Sequence, residues 1–409
     1  MSVDVRTRVD GFEQRIEPAE FFDSSLPDLF EAQTDSLAGG VRWMDPALLV
    51  VQIGDDAWTL STRDGHITVR RGDHGGSHLR LTAEALSDLV ADLVTPMAWF
   101  ISGALDTDAR LEQLLDWWVL IRAALDGMTP YVPGAVSLPT FTADDGSALD
   151  LSRSFSRDDN PSDMARFLAQ AGFVHIKGVF SPAQMATISQ DMDIAAPTYT
   201  QGDGRSWWAR TDDGVDRLVR MQGFDKHSDA LRDLLADERF LALADLGGAG
   251  HELGSFGPNR IEALVKPLGV VEGISDVPWH KDCANGRHSY DCSNLTVGIS
   301  VTGADKDSGQ LRVVAGSNRV HIWPAFVRKG QDLPIVDLPT ATGDVTIHLS
   351  CTTHMAQPPV TTERRVLYSS FTLPPVDRAA REAGVAKLRE AREAAPVTVS
   401  QQSTSTGRI

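Results

Sequence analysis

The chain has 409 residues, 42% of them hydrophobic, and a formal net charge of −18 at pH 7. This length gives room for two or three domains. The acidic balance excludes non-specific binding to nucleic acid through basic patches. The lack of any apolar run of about 18 residues excludes a membrane span. Three cysteines and an N-terminus without the layout of a secretion signal indicate a cytoplasmic protein.

Residues 1–130 predict a compact α+β domain behind a charged leading stretch. Strand-like alternation of apolar and polar residues occurs over residues 48–53, 57–62, 66–71 and 78–81. Asp64-Gly65 favours a tight hairpin turn between the second and third of these strands. Thr82 predicts the N-cap of a helix from 83 to about 93. Gly127 predicts the end of a last helix that starts near residue 107.

The order of these parts resembles the sterol carrier protein 2 family. The stretches that carry the resemblance are 79–86 (LRLTAEAL) and 96–105, an apolar segment that ends in Ser-Gly-Ala-Leu. It covers roughly residues 20–128 and implies a sterol-carrier-like α/β sandwich that holds a lipid or another apolar molecule between sheet and helices. The alternative for Trp99, Phe100 and the Trp117-Trp118 pair is ordinary core packing.

Residues 131–160 are rich in proline, glycine and aspartate and predict a linker. The second domain, 161–376, opens with a helix, the strand 173–177 and another helix. Short strands separated by turn residues then follow at 261–266, 277–280, 295–301, 310–314, 344–349 and 366–372. Such spacing indicates a sandwich or barrel. Residues 377–409 predict a charged helix to about 395 and a disordered tail.

Side chains that could bind a metal or a co-substrate occur in two segments, 280–282 and 354–365. His280 and Asp282 are two residues apart, so on a strand they would share one face. His354 supplies a second imidazole. Two histidines and one carboxylate form the facial triad of non-haem Fe(II) sites, which leaves positions open for oxygen and a co-substrate. The far carboxylate of a 2-oxo acid would require an arginine. Arg365 is the preferred candidate, with Arg364 if the strand faces the other way.

His348 is a weaker rival ligand in the middle of a predicted strand, where packing or support of a ligand is the better interpretation. A site with two histidines and one aspartate can also hold Zn(II) and activate water in a hydrolase. Arg365 distinguishes the two hypotheses, because a hydrolase needs no buried anchor for a carboxylate.

The segments 279–282 (WHKD), 307–318 (DSGQLRVVAGSN) and 343–365 resemble phytanoyl-CoA dioxygenase-like Fe(II)/2-oxoglutarate oxygenases over about residues 160–375. The resemblance implies a double-stranded β-helix, a jelly-roll or cupin-like barrel, with flanking helices. It implies these site residues: His280, Asp282 and His354 on iron, Arg365 on 2-oxoglutarate, and Lys266 as a further polar contact of the co-substrate. Thr296 is a weaker candidate for such a contact, and an ordinary strand threonine is the better interpretation. Met355 and Ala356 depart from the Gly and Ser that often follow the distal histidine.

The resulting hypothesis is an enzyme that uses O2 and 2-oxoglutarate to hydroxylate a C–H bond, with succinate and CO2 as co-products. The sterol-carrier resemblance extends it to a hydrophobic or carrier-bound substrate such as a lipid, terpenoid or acyl thioester. A Zn-dependent hydrolase on the same barrel and a non-catalytic lipid-binding protein are the alternatives.

Overall fold

The computed structural model describes residues 15–135, 139–143, 145–248, 250–254, 260–273, 278–285, 292–375, 377–379 and 382. The predicted leading stretch lies largely outside these residues, and the predicted C-terminal helix and tail lie almost wholly outside them. Among the helices of the described part, none is long and apolar enough to cross a membrane.

The N-terminal domain is built on a five-stranded sheet in the order β3-β2-β1-β4-β5. Its strands are β1 (Leu49–Ile53), β2 (Asp56–Arg63), β3 (His66–Arg71), β4 (Ser77–Leu81) and β5 (Asp106–Thr107). The β1–β4 pair is parallel and the other pairs are antiparallel. The predicted hairpin turn is confirmed, because Asp64 and Gly65 both have positive φ angles.

Helices cover this sheet and bury its apolar residues. They are α1 (Pro18–Glu20), a π-helical turn (Phe21–Ser25), α2 (Leu26–Ala32), α3 (Thr34–Met44), α4 (Ala83–Val90), α5 (Pro96–Ser102) and α6 (Leu111–Asp126). The hydroxyl of Thr82 accepts from the Ala85 amide and caps α4, as predicted. Gly127 ends α6 with φ +65°. Trp58, Trp117 and Leu115 are buried in the core between the two layers.

The C-terminal domain holds a large sheet in the order β12-β8-β9-β11-β18-β13-β16-β7-β6, with β10 on β18. Its strands are β6 (Phe155–Ser156), β7 (Phe173–Lys177), β8 (Ser206–Thr211), β9 (Asp216–Gln222), β10 (Glu252–Leu253), β11 (Ile261–Lys266), β12 (Val270–Glu272), β13 (Leu295–Ser300), β16 (Val345–Leu349) and β18 (Arg364–Thr372). The outer face of this sheet buries an apolar cluster under helices. Those helices are α7 (Pro161–Ala171), α8 (Pro182–Ala195), α9 (Asp229–Ala236) and α10 (Glu238–Leu241).

A smaller sheet faces the inner side of the large one. It consists of β15 (Ile335–Leu338), β14 (Leu311–Val314) and β17 (His354–Ala356) in that order. His280 extends it, since it bridges His354 on one side and Ala325 on the other. From β11 onward the chain passes repeatedly between the two sheets, as a double-stranded β-helix requires.

The segment predicted as a linker lies against the second domain near both of its ends. The Tyr131 amide donates to the His321 carbonyl at 2.8 Å, and Tyr131 is buried. At the other end β6 pairs with β7 in parallel. Helix α7 begins at Pro161, with Asn160 as its cap.

Candidate metal centre

Two histidines and one aspartate converge where the two sheets face each other. One nitrogen each of His280 and His354 and one oxygen of Asp282 lie within 4.8 Å of one another. The Asp282 Oδ1 atom is 3.2 Å from His280 Nε2 and 3.6 Å from His354 Nε2. Both histidines are buried. The arrangement brings together three donors of the types that Fe(II) and Zn(II) accept, at a spacing that one ion could bridge.

Hydrogen bonds to backbone carbonyls determine which ring nitrogen of each histidine can bind a metal. His280 Nδ1 lies 2.7 Å from the Pro278 carbonyl, and His354 Nδ1 lies 2.9 Å from the Thr352 carbonyl. A carbonyl oxygen only accepts hydrogen bonds, so each Nδ1 carries the proton. Each Nε2 therefore presents a lone pair toward Asp282. This is the orientation in which proteins hold metal-binding histidines, and the residues present fit a metal ion.

The second oxygen of Asp282 is held by residues of the large sheet. Thr296 Oγ1 donates to Asp282 Oδ2 at 2.7 Å, and His348 Nε2 lies 3.3 Å from the same oxygen. Because a carboxylate oxygen only accepts, His348 Nε2 carries a proton here and supports the carboxylate. Thr296, the weaker candidate for a contact of the co-substrate, has its hydroxyl committed to Asp282 instead.

The electrostatics of the cluster favour the protonation states that a metal needs. Burial, together with the neighbouring imidazoles of His348 and His280, holds the pKa of His354 well below its ordinary value. Burial opposes ionisation of Asp282, but the surrounding imidazoles, that of His354 first, outweigh it and hold the pKa of Asp282 well below its usual range. The centre is thus poised with a neutral imidazole and an ionised carboxylate at neutral pH.

The structure corrects one step of the sequence argument. His280 and Asp282 do not share a strand, because Asp282 opens a 3-10 helix, Asp282–Asn285. The two side chains nevertheless meet, since the chain turns immediately after Lys281. Lys281 is buried and donates from Nζ to the Ser317 carbonyl at 3.0 Å, which ties this turn to the loop after β14.

Arg365, the preferred anchor for the co-substrate, is on the wrong face of β18. Its guanidinium donates to the carbonyl and hydroxyl oxygens of Ser189 at 2.9 and 3.0 Å, and it pairs with Asp193 at 2.8 Å. Both partners belong to α8, on the outer side of the sheet. The alternation along β18 therefore turns Arg364, the open alternative, to the inner face. This preference in the sequence argument was wrong.

Arg364 is 2% exposed and donates from Nη1 to the Gly309 carbonyl at 2.7 Å. Its Nε is buried without a hydrogen-bond acceptor, and within the described residues no carboxylate pairs with it. Lys266 stands opposite Arg364 in the β11–β18 ladder and is equally buried. Burying a guanidinium without an anion is costly, so this side of the barrel is suited to an anionic group.

The three cysteines of the chain also converge beside the centre, which sequence reasoning missed. Cys283 directly follows Asp282. Cys292 forms hydrogen bonds with the thiols of Cys283 and Cys351, and the bond with Cys283 raises the pKa of Cys292 well above its usual value. The three cysteines form no disulfide with one another. Spacings of 9 and 59 residues gave no signal that they would meet.

The sequence of the C-terminal domain matches a known protein family. Residues 168–366, just under half of the chain, match the sequence model of the phytanoyl-CoA dioxygenase (PhyH) family. No curated protein matches the chain. The C-terminal part is therefore a PhyH domain. This confirms the expectation of an enzyme of the class that uses Fe(II) and 2-oxoglutarate.

Solved structures show partial likeness. AviO1 from Streptomyces viridochromogenes Tue57 is 21% identical, with a TM-score of 0.43 over 53% of this chain and 98% of that one. EctD from S. alaskensis with 2-oxoglutarate and 5-hydroxyectoine is 16% identical, with a TM-score of 0.43 over 58% and 84%. The epimerase SnoN in complex with Fe3+, alpha ketoglutarate and nogalamycin RO is 20% identical, with a TM-score of 0.40 over 54% and 88%. Each likeness covers little more than half of this chain.

Proposed function

We propose that the C-terminal domain hydroxylates a C–H bond of a small molecule, with Fe(II) held by His280, Asp282 and His354 and 2-oxoglutarate anchored by Arg364. The observation that carries the proposal is the pair of Nδ1–H to carbonyl hydrogen bonds, which turns both Nε2 atoms toward one carboxylate oxygen. When bound, the iron supplies the O2-dependent oxidation, and 2-oxoglutarate is converted to succinate and CO2.

The protein's own residues hold and orient these groups. Thr296 and His348 keep Asp282 Oδ2 occupied, so that Oδ1 alone faces the two imidazoles. The guanidinium of Arg364 offers a charged, planar donor set to the distal carboxylate of a 2-oxo acid. Lys266 adds a second positive charge on the next strand, which further favours a dianionic co-substrate.

The buried Arg364 also discriminates between functions. A Zn-dependent hydrolase could use the same three ligands, but it would not need an unpaired cation inside the barrel. The energetic penalty of burying that cation is offset if a carboxylate binds there during turnover. This supports the oxygenase over the hydrolase, and over a lipid-binding protein without catalysis.

We propose that the substrate is hydrophobic or carrier-bound. This proposal comes from the N-terminal domain, which we propose is sterol-carrier-like. Its five-stranded sheet and overlying helices enclose an apolar cavity of about 40 Å³. The side chains around it come from both layers: Leu49, Val51, Leu79, Leu86, Pro96 and Trp117 are among them. That volume holds about one water-sized group, so a lipid-like molecule would enter only if helices α4 and α5 moved apart.

The test uses the adjacent arginines as a matched pair. Arg364→Met should weaken binding of 2-oxoglutarate to the Fe(II)-loaded, oxygen-free protein by about 10- to 100-fold, the value of a hydrogen-bonded charge pair. Arg365→Met should leave binding unchanged. The measurement is titration of the visible charge-transfer band that forms with Fe(II) and 2-oxoglutarate. Absence of the band in the unmodified protein, or equal effects of both substitutions, would refute the proposal.

A further inference from the structure

The segment that carries the ligand His280 is held from two sides. On one side it exchanges two hydrogen bonds with His354, at 3.0 and 2.9 Å. On the other side the Lys281 amide donates to the Pro324 carbonyl at 2.7 Å, and the Phe326 amide donates to the Trp279 carbonyl at 3.0 Å. One neighbour is thus the strand of the other histidine ligand. The second neighbour is residues 320–328, which we call the strap.

The strap belongs to the C-terminal domain in sequence but packs into the core of the N-terminal domain. Trp323 and Ala325 are 6% and 2% exposed and lie in the same apolar cluster as Trp117 and Leu120 of α6. Phe326 packs against this cluster with φ +65°, a conformation that bulky residues rarely adopt. Such a backbone persists only where its surroundings enforce it. The N-terminal core therefore determines the path of the chain beside His280.

Arg328 fastens the end of the strap to the N-terminal domain. Its guanidinium donates to Asp116 of α6 and, at 2.8 Å, to the Met44 carbonyl at the end of α3. It also lies 4.6 Å from the ring centre of Trp323 and 5.2 Å from that of Trp43. A planar cation stacked on aromatic rings with two acceptors has a single well-defined position.

Two further contacts join the N-terminal domain to the strap and to the turn that follows His280. The His321 ring nitrogen Nε2 is 2.8 Å from the Val119 carbonyl of α6. Helix α5 lies against the 3-10 turn that begins with Asp282. The N-terminal domain thus touches the ligand segment both directly and through the strap.

We infer that the N-terminal domain positions the metal ligands His280 and Asp282, and that Arg328 is the positioning residue that fixes the strap. The inference rests on the proposed metal site. Ligand atoms must be held within a few tenths of an ångström for tight metal binding, and the layer behind the ligands controls this. Here part of that layer comes from the other domain.

The experiment compares two arginines of the full-length chain, each paired with an aspartate of α6. Arg328→Met releases the strap. The control, Arg122→Met, removes another half-buried ion pair of α6, with Asp126 at 2.6 Å, whose arginine makes its hydrogen bonds to Asp126, Leu89 and Val90 and none to the strap. Co(II) is added to metal-free protein and its visible absorption is titrated. Arg328→Met should weaken Co(II) binding by about tenfold or more, whereas Arg122→Met should not change it. Arg328→Lys, which keeps the charge, should restore part of the affinity.

A second readout is independent of metal. Amide hydrogen exchange at Lys281 and Phe326 should accelerate in metal-free Arg328→Met but not in Arg122→Met. Equal Co(II) affinities in these two variants, or unchanged exchange at both amides, would overturn the inference. Should Arg328→Met not fold, Arg328→Lys is compared with Arg122→Met in both measurements. If the unmodified protein binds no Co(II), the proposed function fails, and the exchange rates still decide the role of the strap.

Discussion

The two faces of the large sheet differ in chemistry although they share the same strands. On the outer face Val297, Ile299 and Leu367 are fully buried in an apolar cluster. On the inner face Thr296 and His348 hold the carboxylate of Asp282, a proposed metal ligand. The comparison teaches that period-two alternation lets one strand contribute to stability and to the site at once. A shift of one residue exchanges the two roles.

The outer face should respond to truncation with a large loss of stability and no change at the site. Ile299→Ala removes buried methyl groups from the apolar cluster and should lower the free energy of unfolding by about 3 kcal/mol. Urea denaturation measures this loss. Co(II) affinity of the folded variant should equal that of the unmodified protein, and a parallel loss of affinity would mean that the faces are not independent.

At the end of the inner face, Asp344 offers a pH-dependent test. Burial opposes its ionisation, but hydrogen bonds from His175, the first of these, and from the Gly178 and Ala341 amides lower the pKa of Asp344. The ionised group therefore contributes stability above about pH 4, its ordinary pKa range. That stability is lost as the pH falls through the lowered pKa.

Asp344→Asn should accordingly lower the free energy of unfolding at pH 7 by about 2 kcal/mol, the value of hydrogen bonds to a charged group. The difference between the variant and the unmodified protein should shrink below about pH 4. Denaturant unfolding across this range measures it. A difference that persists at acid pH would assign the effect to packing and not to charge.

A smaller effect is expected at Thr296, which touches the site through one hydrogen bond. Thr296→Val keeps the shape of the side chain but leaves Asp282 Oδ2 with His348 alone. Co(II) binding should weaken about tenfold, or about 1.4 kcal/mol. Thr346→Val, on the same face but without a hydrogen bond to Asp282, is the matched control. Similar losses in both variants would indicate a general effect of hydroxyl removal.

The smallest effect should come from Arg365. Its ion pair with Asp193 is partly exposed, so Arg365→Met should change the free energy of unfolding by less than about 1 kcal/mol. Thermal unfolding measures this change. A larger loss would mean that the bonds to Ser189 hold α8 against the sheet more strongly than a surface pair can.

Much of the architecture followed from local patterns. The strands β11, β13 and β16 agree with the predicted segments to within a residue or so, because alternation and turn residues act locally. The hairpin turn at Asp64-Gly65 and the caps at Thr82 and Gly127 were predicted for the same reason. Gly343 opens one of the segments that resemble the oxygenase family, and the structure shows why glycine stands there. Its φ is +87°, and a Cβ at this position would clash with the Phe180 carbonyl oxygen.

By itself, the sequence determined which side chains could form the centre, since His280, Asp282 and His354 are all there. Only the tertiary structure decided how they meet. Asp282 leaves the strand at a turn, Arg364 rather than Arg365 faces inward, and the strap joins the two domains behind His280. Each of these depends on contacts between segments far apart in the chain. Local periodicity marks which residues alternate, but only packing against α8 and the N-terminal core selects the face that turns inward.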